Sequence, residues 1–155
     1  MKATKKIISL VIVAVLVFSL AGCSPRTAIS GDKFTSIMED QKFTVEDAAD
    51  IAGSYNADKA HYAYNSDSSV VFMFLEYGSK SDAVKAYADL KTDLDTIKDD
   101  SSKTLEKEAA NYSKYSVETT DAYGVVSRTD STIVCASTAS DHKSEVTDGL
   151  KALGY

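Results

Sequence analysis

The sequence has few of the residues that most often reveal a function. Its 155 residues include two cysteines, two histidines and one proline, and there is no tryptophan. So few cysteines and histidines argue against a zinc site built from a cluster of these ligands. The seven glycines stand singly, which argues against a loop that cradles phosphate groups, and no Gly-x-Ser-x-Gly motif of a serine hydrolase is present.

Positive charge is also scarce after the first 22 residues. Without Lys2, Lys5 and Lys6, the 17 basic residues of the chain fall to 14, against 23 acidic ones, a formal charge of −9. This balance argues against a nucleic-acid partner, whose phosphates require a basic stripe. Removing the first 22 of 155 residues leaves 133, which is enough for one domain.

The N-terminus has the pattern of a secretory signal. Three lysines lie within Met1–Lys6, and Ile7–Gly22 is apolar except for two serines and the small residues at its end. The apolar run of about 15 residues is shorter than the roughly 20 residues that span a bilayer, which favours a cleaved signal over a permanent transmembrane helix. The run ends in Leu20-Ala21-Gly22-Cys23, an aliphatic residue and two small residues before a cysteine.

These four residues resemble the lipobox of bacterial lipoproteins. The resemblance implies that Cys23 receives a diacylglyceryl group as a thioether and that a signal peptidase cuts between Gly22 and Cys23. It predicts a signal peptide over residues 1–22 and a lipidated N-terminus at Cys23. The polar residues that follow, broken by Pro25 and Gly31, extend this N-terminus as a tether over 23–31, and the remaining residues 32–155 are predicted to form a single globular domain. The resemblance also predicts that the lipid on Cys23 holds the protein on the extracytoplasmic side of the cell membrane. An ordinary cleaved signal followed by a coincidental cysteine is the alternative.

Hydrophobic periodicity predicts helices and strands along the domain. Helices are predicted over Asp32–Gln41, with Ser30 or Asp32 as the N-cap, and over Ser79–Ile97, with Ser79 as the N-cap. A last helix is predicted from Ser140 or Asp141 onward, with Val146, Leu150 and Leu153 turned inward. Strands are predicted over 59–65, 70–75, 115–119, 123–129 and 132–138. The segment Phe43–Ala52 is ambiguous, because Phe43 and Val45 alternate like a strand whereas Thr44 and Asp47 resemble a capping box; a helix is favoured. The polar segment Asp99–Lys107 is predicted to be the frayed end of a helix or a mobile loop.

A hairpin followed by a helix occurs twice in this order of elements. We therefore predict an α+β fold in which an antiparallel sheet of four or five strands carries helices on one face, a two-layer sandwich. The helix over 79–97 is expected to turn one apolar stripe toward the sheet, formed by Val84, Tyr87, Leu90, Leu94 and Ile97.

The few cysteines and histidines are the first candidates for chemistry. A nucleophilic Cys135 needs a base such as His142, but His142 opens a helix, where the positive end of the dipole disfavours its charged form. A small buried hydrophobic residue is the favoured interpretation of Cys135. His61 lies beside Tyr62 and Tyr64 in a grouping that can ligate haem iron, yet alternation puts it on the opposite face from both, so a half-exposed strand histidine is favoured.

An acidic run at the end of the predicted helix 79–97 and just after it is a candidate for calcium binding: Asp93, Asp95, Asp99 and Asp100. The run lacks the glycine and the terminal glutamate of a helix-loop-helix calcium site, so a solvated helix face is favoured. We predict no catalytic residues, no metal site and no cofactor.

Tyrosine is the one residue in excess, with nine in the chain. If one face of the sheet is open, tyrosines on predicted strands would form an aromatic surface for a protein, peptide or glycan partner. The candidates are Tyr62, Tyr64, Tyr115 and Tyr123. The alternative is that tyrosine simply favours half-buried strand positions.

These patterns favour a lipid-anchored, extracytoplasmic bacterial lipoprotein that acts as a non-enzymatic binding or accessory module. Two alternatives stay open. One is a small-ligand-binding protein or enzyme with a pocket between sheet and helices, and the other is a structural envelope protein that acts through self-association.

Replacing Cys23 with alanine tests the predicted lipobox. Without the thiol there is no sulfur atom to receive the diacylglyceryl group, so we expect the chain to stay unprocessed or to leave the membrane. Membrane fractionation together with the mass of the N-terminal peptide measures both outcomes. A Cys23→Ala protein that fractionates with the membrane as the mature form, as the parent does, would contradict the prediction.

Overall fold

The computed structural model describes residues 25–155, so the predicted signal peptide 1–22 and Cys23 lie outside the described residues. The helices are α1 (Gly31–Asp40), α2 (Ala49–Ser54), α3 (Lys80–Asp95) and α4 (Lys143–Leu153), the last preceded by a short 3₁₀ turn at Ser140–His142. The strands are β1 (Thr44–Asp47), β2 (Lys59–Tyr64), β3 (Val70–Glu76), β4 (Lys103–Ala109), β5 (Tyr112–Glu118), β6 (Ala122–Thr129) and β7 (Thr132–Ala139). Within residues 25–155, no helix combines the length and apolar composition that a membrane crossing requires.

All these strands form one antiparallel sheet of seven strands in the order β1-β2-β3-β7-β6-β5-β4. Its centre is the pair β3 and β7, which runs from Val70 opposite Thr138 to Glu76 opposite Thr132 and joins the two halves of the chain. The predicted α+β class and antiparallel sheet are confirmed. The predicted four or five strands are too few, because the sheet has a polar strand at each edge.

The first edge strand, β1, occupies the segment for which a helix was favoured. Thr44 pairs with Tyr64 and Asp47 with His61 of β2. Pairing with a formed strand outweighs a local capping pattern, since a short helix start gains little without tertiary packing. The helix prediction holds for the following residues, where α2 runs from Ala49 to Ser54.

The other edge strand, β4, lies within the segment predicted as a frayed helix end or a mobile loop. It pairs with β5 from Lys103 opposite Glu118 to Ala109 opposite Tyr112. Every residue of β4 is exposed. A strand with no buried face has no alternation of apolar and polar residues, which is why periodicity misses it.

Helices cover both faces of the sheet, so the predicted two-layer sandwich with helices on one face is wrong. Helices α1 and α4 pack on one face, over a core that includes Phe34, Met38, Phe72, Phe74, Val125, Val134 and Leu150. Helices α2 and α3 pack on the other face, over a core that includes Ala52, Leu75, Leu90, Val126 and Ile133. The central strands carry apolar side chains in both directions, as Val125 and Val126 of β6 illustrate, and each face needs its own cover.

The long helix α3 is set against the sheet by small residues. Val84 is 44% exposed, contrary to the predicted stripe, whereas Ala83 is buried, and Tyr87 and Leu90 are buried as predicted. Near the end of the helix Leu94 reaches Gly124 of β6, where a Cβ atom would lie 2.3 Å from Leu94 Cδ1. The absence of a side chain at Gly124 therefore lets the end of the helix approach the sheet.

The helix starts agree with the sequence. The Ser30 hydroxyl caps α1 by accepting a hydrogen bond from the Lys33 amide at 3.3 Å. The Ser79 hydroxyl caps α3 by accepting a hydrogen bond from the Asp82 amide at 3.1 Å. The last helix buries Val146, Leu150 and Leu153, as predicted.

Residues 26–30, assigned from the sequence to a tether, lie on the folded domain. The Arg26 guanidinium sits 3.6 Å from the centre of the Tyr112 ring and donates to the Gly154 carbonyl at 3.2 Å. The Asn111 amide donates to the Arg26 carbonyl at 2.6 Å, and Ile29 packs against the core under α1 and α4. The segment from Arg26 onward is thus part of the domain.

Two glycine-to-alanine changes in helices test this packing. A Cβ on Gly149 of α4 would lie 2.5 Å from the buried Phe72 ring, whereas a Cβ on Gly53 of α2 meets nothing within 4 Å. Overpacking costs about 1–3 kcal/mol and helix propensity returns about 1 kcal/mol, so Gly149→Ala should lower the free energy of unfolding by up to about 2 kcal/mol. Gly53→Ala should raise it by up to about 1 kcal/mol. Urea unfolding measures both, and a Gly149→Ala protein as stable as the Gly53→Ala protein would refute this account of the α4 interface.

Candidate functional site

An open groove lies on the face of the sheet that carries α2 and α3. Helix α3 packs over β5, β6 and β7, and α2 ends at Ser54, so strand residues between the two helices stay uncovered. The groove has a volume of about 340 Å³. Its apolar and aromatic lining includes Tyr55, Tyr62, Val71, Met73, Leu94 and Ile97, all partly exposed.

Strand register places the groove floor. Tyr62 of β2 lies opposite Met73 of β3, and Met73 lies opposite Cys135 of β7, so three side chains form a row across three strands. Tyr55, directly after α2, and Leu94 of α3 form the walls on either side. The floor therefore belongs to the rigid centre of the sheet.

The groove continues toward the β1 edge of the sheet. A shallower depression of about 270 Å³ shares Tyr62 and Val71 with it and adds Glu46, Tyr64 and Ser68. The Tyr64 hydroxyl donates to Glu46 Oε1 at 2.6 Å, and this hydrogen bond raises the pKa of Tyr64. Burial, and after it the nearby Cys135 and Asp93, raise the pKa of Tyr55. Both phenols thus stay protonated and can donate hydrogen bonds near neutral pH.

Carboxylates mark the two ends of this surface. Asp93 lines the main groove and Glu46 lines the shallower depression, and both residues are exposed. The surface, called the tyrosine groove below and formed by Glu46, Tyr55, Tyr62, Tyr64, Met73, Asp93, Leu94 and Ile97, is apolar with acidic ends.

The four tyrosines predicted as a partner surface separate into two pairs. Tyr62 and Tyr64 are partly exposed in the tyrosine groove. Tyr115 is 4% exposed beneath α3, where its hydroxyl donates to Asp95 Oδ1 at 2.5 Å, and Tyr123 is 6% exposed on the opposite face. Tyr115 and Tyr123 are therefore core residues and do not belong to an exposed aromatic surface.

Cys135 lies at the floor of the groove, where it is partly exposed among apolar side chains. Burial raises its pKa to about 12. A catalytic thiolate needs the opposite, a pKa lowered by a nearby cation.

His142 lies apart from Cys135. It sits in the 3₁₀ turn before α4, and its Nδ1 is 2.8 Å from Glu145 Oε1 while its Nε2 is 3.9 Å from Asp141 Oδ1. The hydrogen bond to Glu145 raises the pKa of His142. The expectation that the charge of His142 is disfavoured is thus wrong, because the carboxylates of Glu145 and Asp141 favour the charged form. The pair stabilises the fold below pH 6.5, and this stabilisation is lost as the pH rises through the folded-state pKa.

His61 lies on the face of the sheet that carries α1, opposite Tyr62 and Tyr64, as alternation predicts. Its ring packs beside Phe34 and Phe74. Its Nε2 is buried without a hydrogen-bond partner among residues 25–155, and a Cβ on Gly31 would lie 2.4 Å from it.

The acidic run is divided among separate roles. Asp95 is 2.6 Å from Lys98 Nζ and accepts from Tyr115, and these contacts lower its pKa. Asp99 accepts from the amide and hydroxyl of Ser101 in the loop after α3. In the described part of the chain, no group of three or more His, Cys, Asp or Glu side chains is placed to hold a metal ion.

Comparisons with known proteins find a similar fold and no matching family. The sequence matches no protein-family model and no curated protein. The structure is similar to the crystal structure of a GTP-binding regulator from Thermotoga maritima, with a TM-score of 0.52 and 15% identity over 84% of this chain and 88% of that one. At this identity the likeness is one of fold alone.

The alkylation rate of Cys135 tests its environment. The rise in pKa from 9.0 to about 12 lowers the thiolate fraction about 1,000-fold near neutral pH. We expect iodoacetamide at pH 8 to modify Cys135 of the folded protein at least about 100-fold more slowly than in urea. Peptide mass analysis separates this site from Cys23. A rate that levels off near pH 9 in the folded protein would show an ordinary thiol instead.

Proposed function

We propose that this protein is a bacterial lipoprotein, held on the extracytoplasmic side of the cell membrane through an acylated Cys23, whose domain is a non-enzymatic binding module. The observation that carries the binding role is the tyrosine groove. It gathers partly exposed aromatic and apolar side chains on a rigid sheet. Rigid aromatic rings contribute contact area at little cost in conformational entropy, which suits them to recognition.

The chemistry of the groove favours a peptide or protein segment that presents an apolar side chain beside a cation. The side chains that line the groove, Tyr55, Leu94 and Ile97 among them, form an apolar slot, and Asp93 supplies negative charge at its rim. The volume of about 340 Å³ lies near the lower end of the range of about 300–1,000 Å³ for small-molecule sites. An open slot of this size suits an anchoring side chain.

Binding without catalysis is the activity that these side chains support best. The one thiol in the groove is Cys135, and burial keeps it protonated. His142, the base considered for it, is engaged by Glu145 and Asp141.

A photo-crosslinking residue in place of Tyr62 tests the groove in the full-length chain. We expect p-benzoylphenylalanine at position 62 to form a defined adduct in the producing bacterium. The same residue at the exposed Thr147 of α4 should not form it. The mass of the adduct identifies the partner.

A groove-filling variant separates specific binding from chance contact. Ser137 is exposed at the groove, so Ser137→Trp fills the slot without removing a core contact, and Ser144→Trp on α4 is the matched control. The adduct should disappear only with Ser137→Trp. Thermal shifts with a panel of metabolites, glycans and GTP, the last because of the similar GTP-binding regulator, test for a small ligand. A thermal shift that is lost in Ser137→Trp would support the small-ligand alternative. The absence of both an adduct and a thermal shift would refute the binding role.

A further inference from the structure

Charge is segregated between the two faces of β4. Lys103, Leu105 and Lys107 alternate with Thr104, Glu106 and Glu108 along the strand. Glu106 forms an ion pair with Lys91 of α3, so the acidic side of β4 belongs to the α3 face of the sheet. The lysine side therefore belongs to the opposite face, beyond α4, where the strands β4 and β5 carry no helix.

Further cations join the lysines on this face. Lys114 of β5 lies directly opposite Lys107, and Arg26 stacks on Tyr112, two residues before Lys114 and on the same side of the strand. Lys143 of α4 borders the patch and contacts Glu118 at 2.6 Å. The surface is called the cationic face below and consists of Arg26, Lys103, Leu105, Lys107, Lys114 and Lys143.

One acidic side chain, Glu118, lies on this face: it is directly opposite Lys103, and the hydrogen bond from Lys143 together with the charge of Lys103 lowers its pKa. Arg26, Lys103, Lys107 and Lys114 form no ion pair with any residue between 25 and 155. Burial, together with the charges of Arg26 and Lys107, lowers the pKa of Lys114. Asp130 lies only at the border, where Asn111 donates to it at 3.2 Å. A face this rich in unpaired cations favours an anionic partner from outside the chain.

An exposed apolar side chain lies in the middle of the cationic face. Leu105 is 46% exposed between Lys103 and Lys107. Cations that surround an apolar side chain match a phospholipid surface, where the apolar group enters the headgroup boundary and the cations contact phosphates.

The predicted anchor residue is three residues away from this face along the chain. Arg26 is fixed on Tyr112 and Gly154, and Cys23 precedes it by three residues, which span at most about 11 Å. An acyl chain on Cys23 would therefore enter the membrane next to the cationic face. This step rests on the proposed lipid anchor.

We propose that the cationic face docks on anionic phospholipid headgroups of the membrane that holds Cys23. The formal charge of −9 for the domain does not prevent this, because the Debye length of about 8–10 Å makes a bilayer respond to the nearest charges. The tyrosine groove lies on the opposite face of the sheet. Docking therefore turns the groove away from the membrane, toward partners outside.

Amide hydrogen exchange of the full-length protein, purified from membranes and placed in vesicles, tests the proposal. In vesicles with phosphatidylglycerol, amide exchange in β4 and β5 should be about fivefold slower than in vesicles of pure phosphatidylcholine. Salt at about 0.5 M screens surface charge and should remove this difference. The variant Lys103→Glu/Lys107→Glu should lose the protection. The control Lys42→Glu/Lys59→Glu, near the β1 edge of the sheet, changes the net charge equally and should keep it. Exchange in β3 and β7 reports whether each variant is folded.

Equal exchange in both kinds of vesicle would overturn the proposal, as would protection that survives Lys103→Glu/Lys107→Glu or is lost equally in the control. Protection of β4 and β5 by soluble polyglutamate without vesicles would point to an acidic protein and also overturn it. The mass of the N-terminal peptide decides the lipid anchor separately. If Cys23 carries no lipid, cosedimentation with phosphatidylglycerol vesicles that depends on Lys103 and Lys107 would still support the cationic face.

Discussion

The structure depends on a central set of strands that is apolar on both faces. In β6 and β7, neighbouring residues such as Val125 and Val126, or Ile133 and Val134, point in opposite directions and are all buried. Water must therefore be excluded from both sides of the sheet. This requirement places α1 and α4 on one face and α2 and α3 on the other, and it divides the interior into two cores.

Coverage by the helices is incomplete, and both proposed functional surfaces arise from what stays uncovered. Seven strands spaced about 4.8 Å apart make a sheet about 29 Å wide, whereas two helices about 10 Å in diameter cover about 20 Å of each face. On the α3 face the gap lies over β2 and β3 and forms the tyrosine groove. On the α4 face it lies over β4 and β5 and forms the cationic face. The two surfaces therefore point in opposite directions and differ in charge.

Sequence patterns predicted the elements that bury a face. The β2–β3 hairpin, the caps at Ser30 and Ser79 and the buried stripe of α4 follow from periodicity and capping chemistry. The edge strands β1 and β4 were not predicted, because their side chains are buried little or not at all. Of the candidate site, Tyr62 and Tyr64 were identified, but Tyr55, Met73 and Leu94 were not, since no local signal distinguishes a groove wall from an ordinary core residue. The alternation of lysine and glutamate in β4 assigns the two charges to opposite faces only if this segment is a strand, which the structure showed.

The sequence by itself determined the α+β class, most strand and helix positions and the pattern that resembles a lipobox, because each of these depends on neighbours along the chain. The tertiary structure decided the number of strands, the cover on both faces, and which tyrosines stay exposed. The physical reason is that burial depends on distant partners. Tyr115 is covered because α3 lies over it, and the end of that helix approaches the sheet because Gly124 has no side chain to hold Leu94 away.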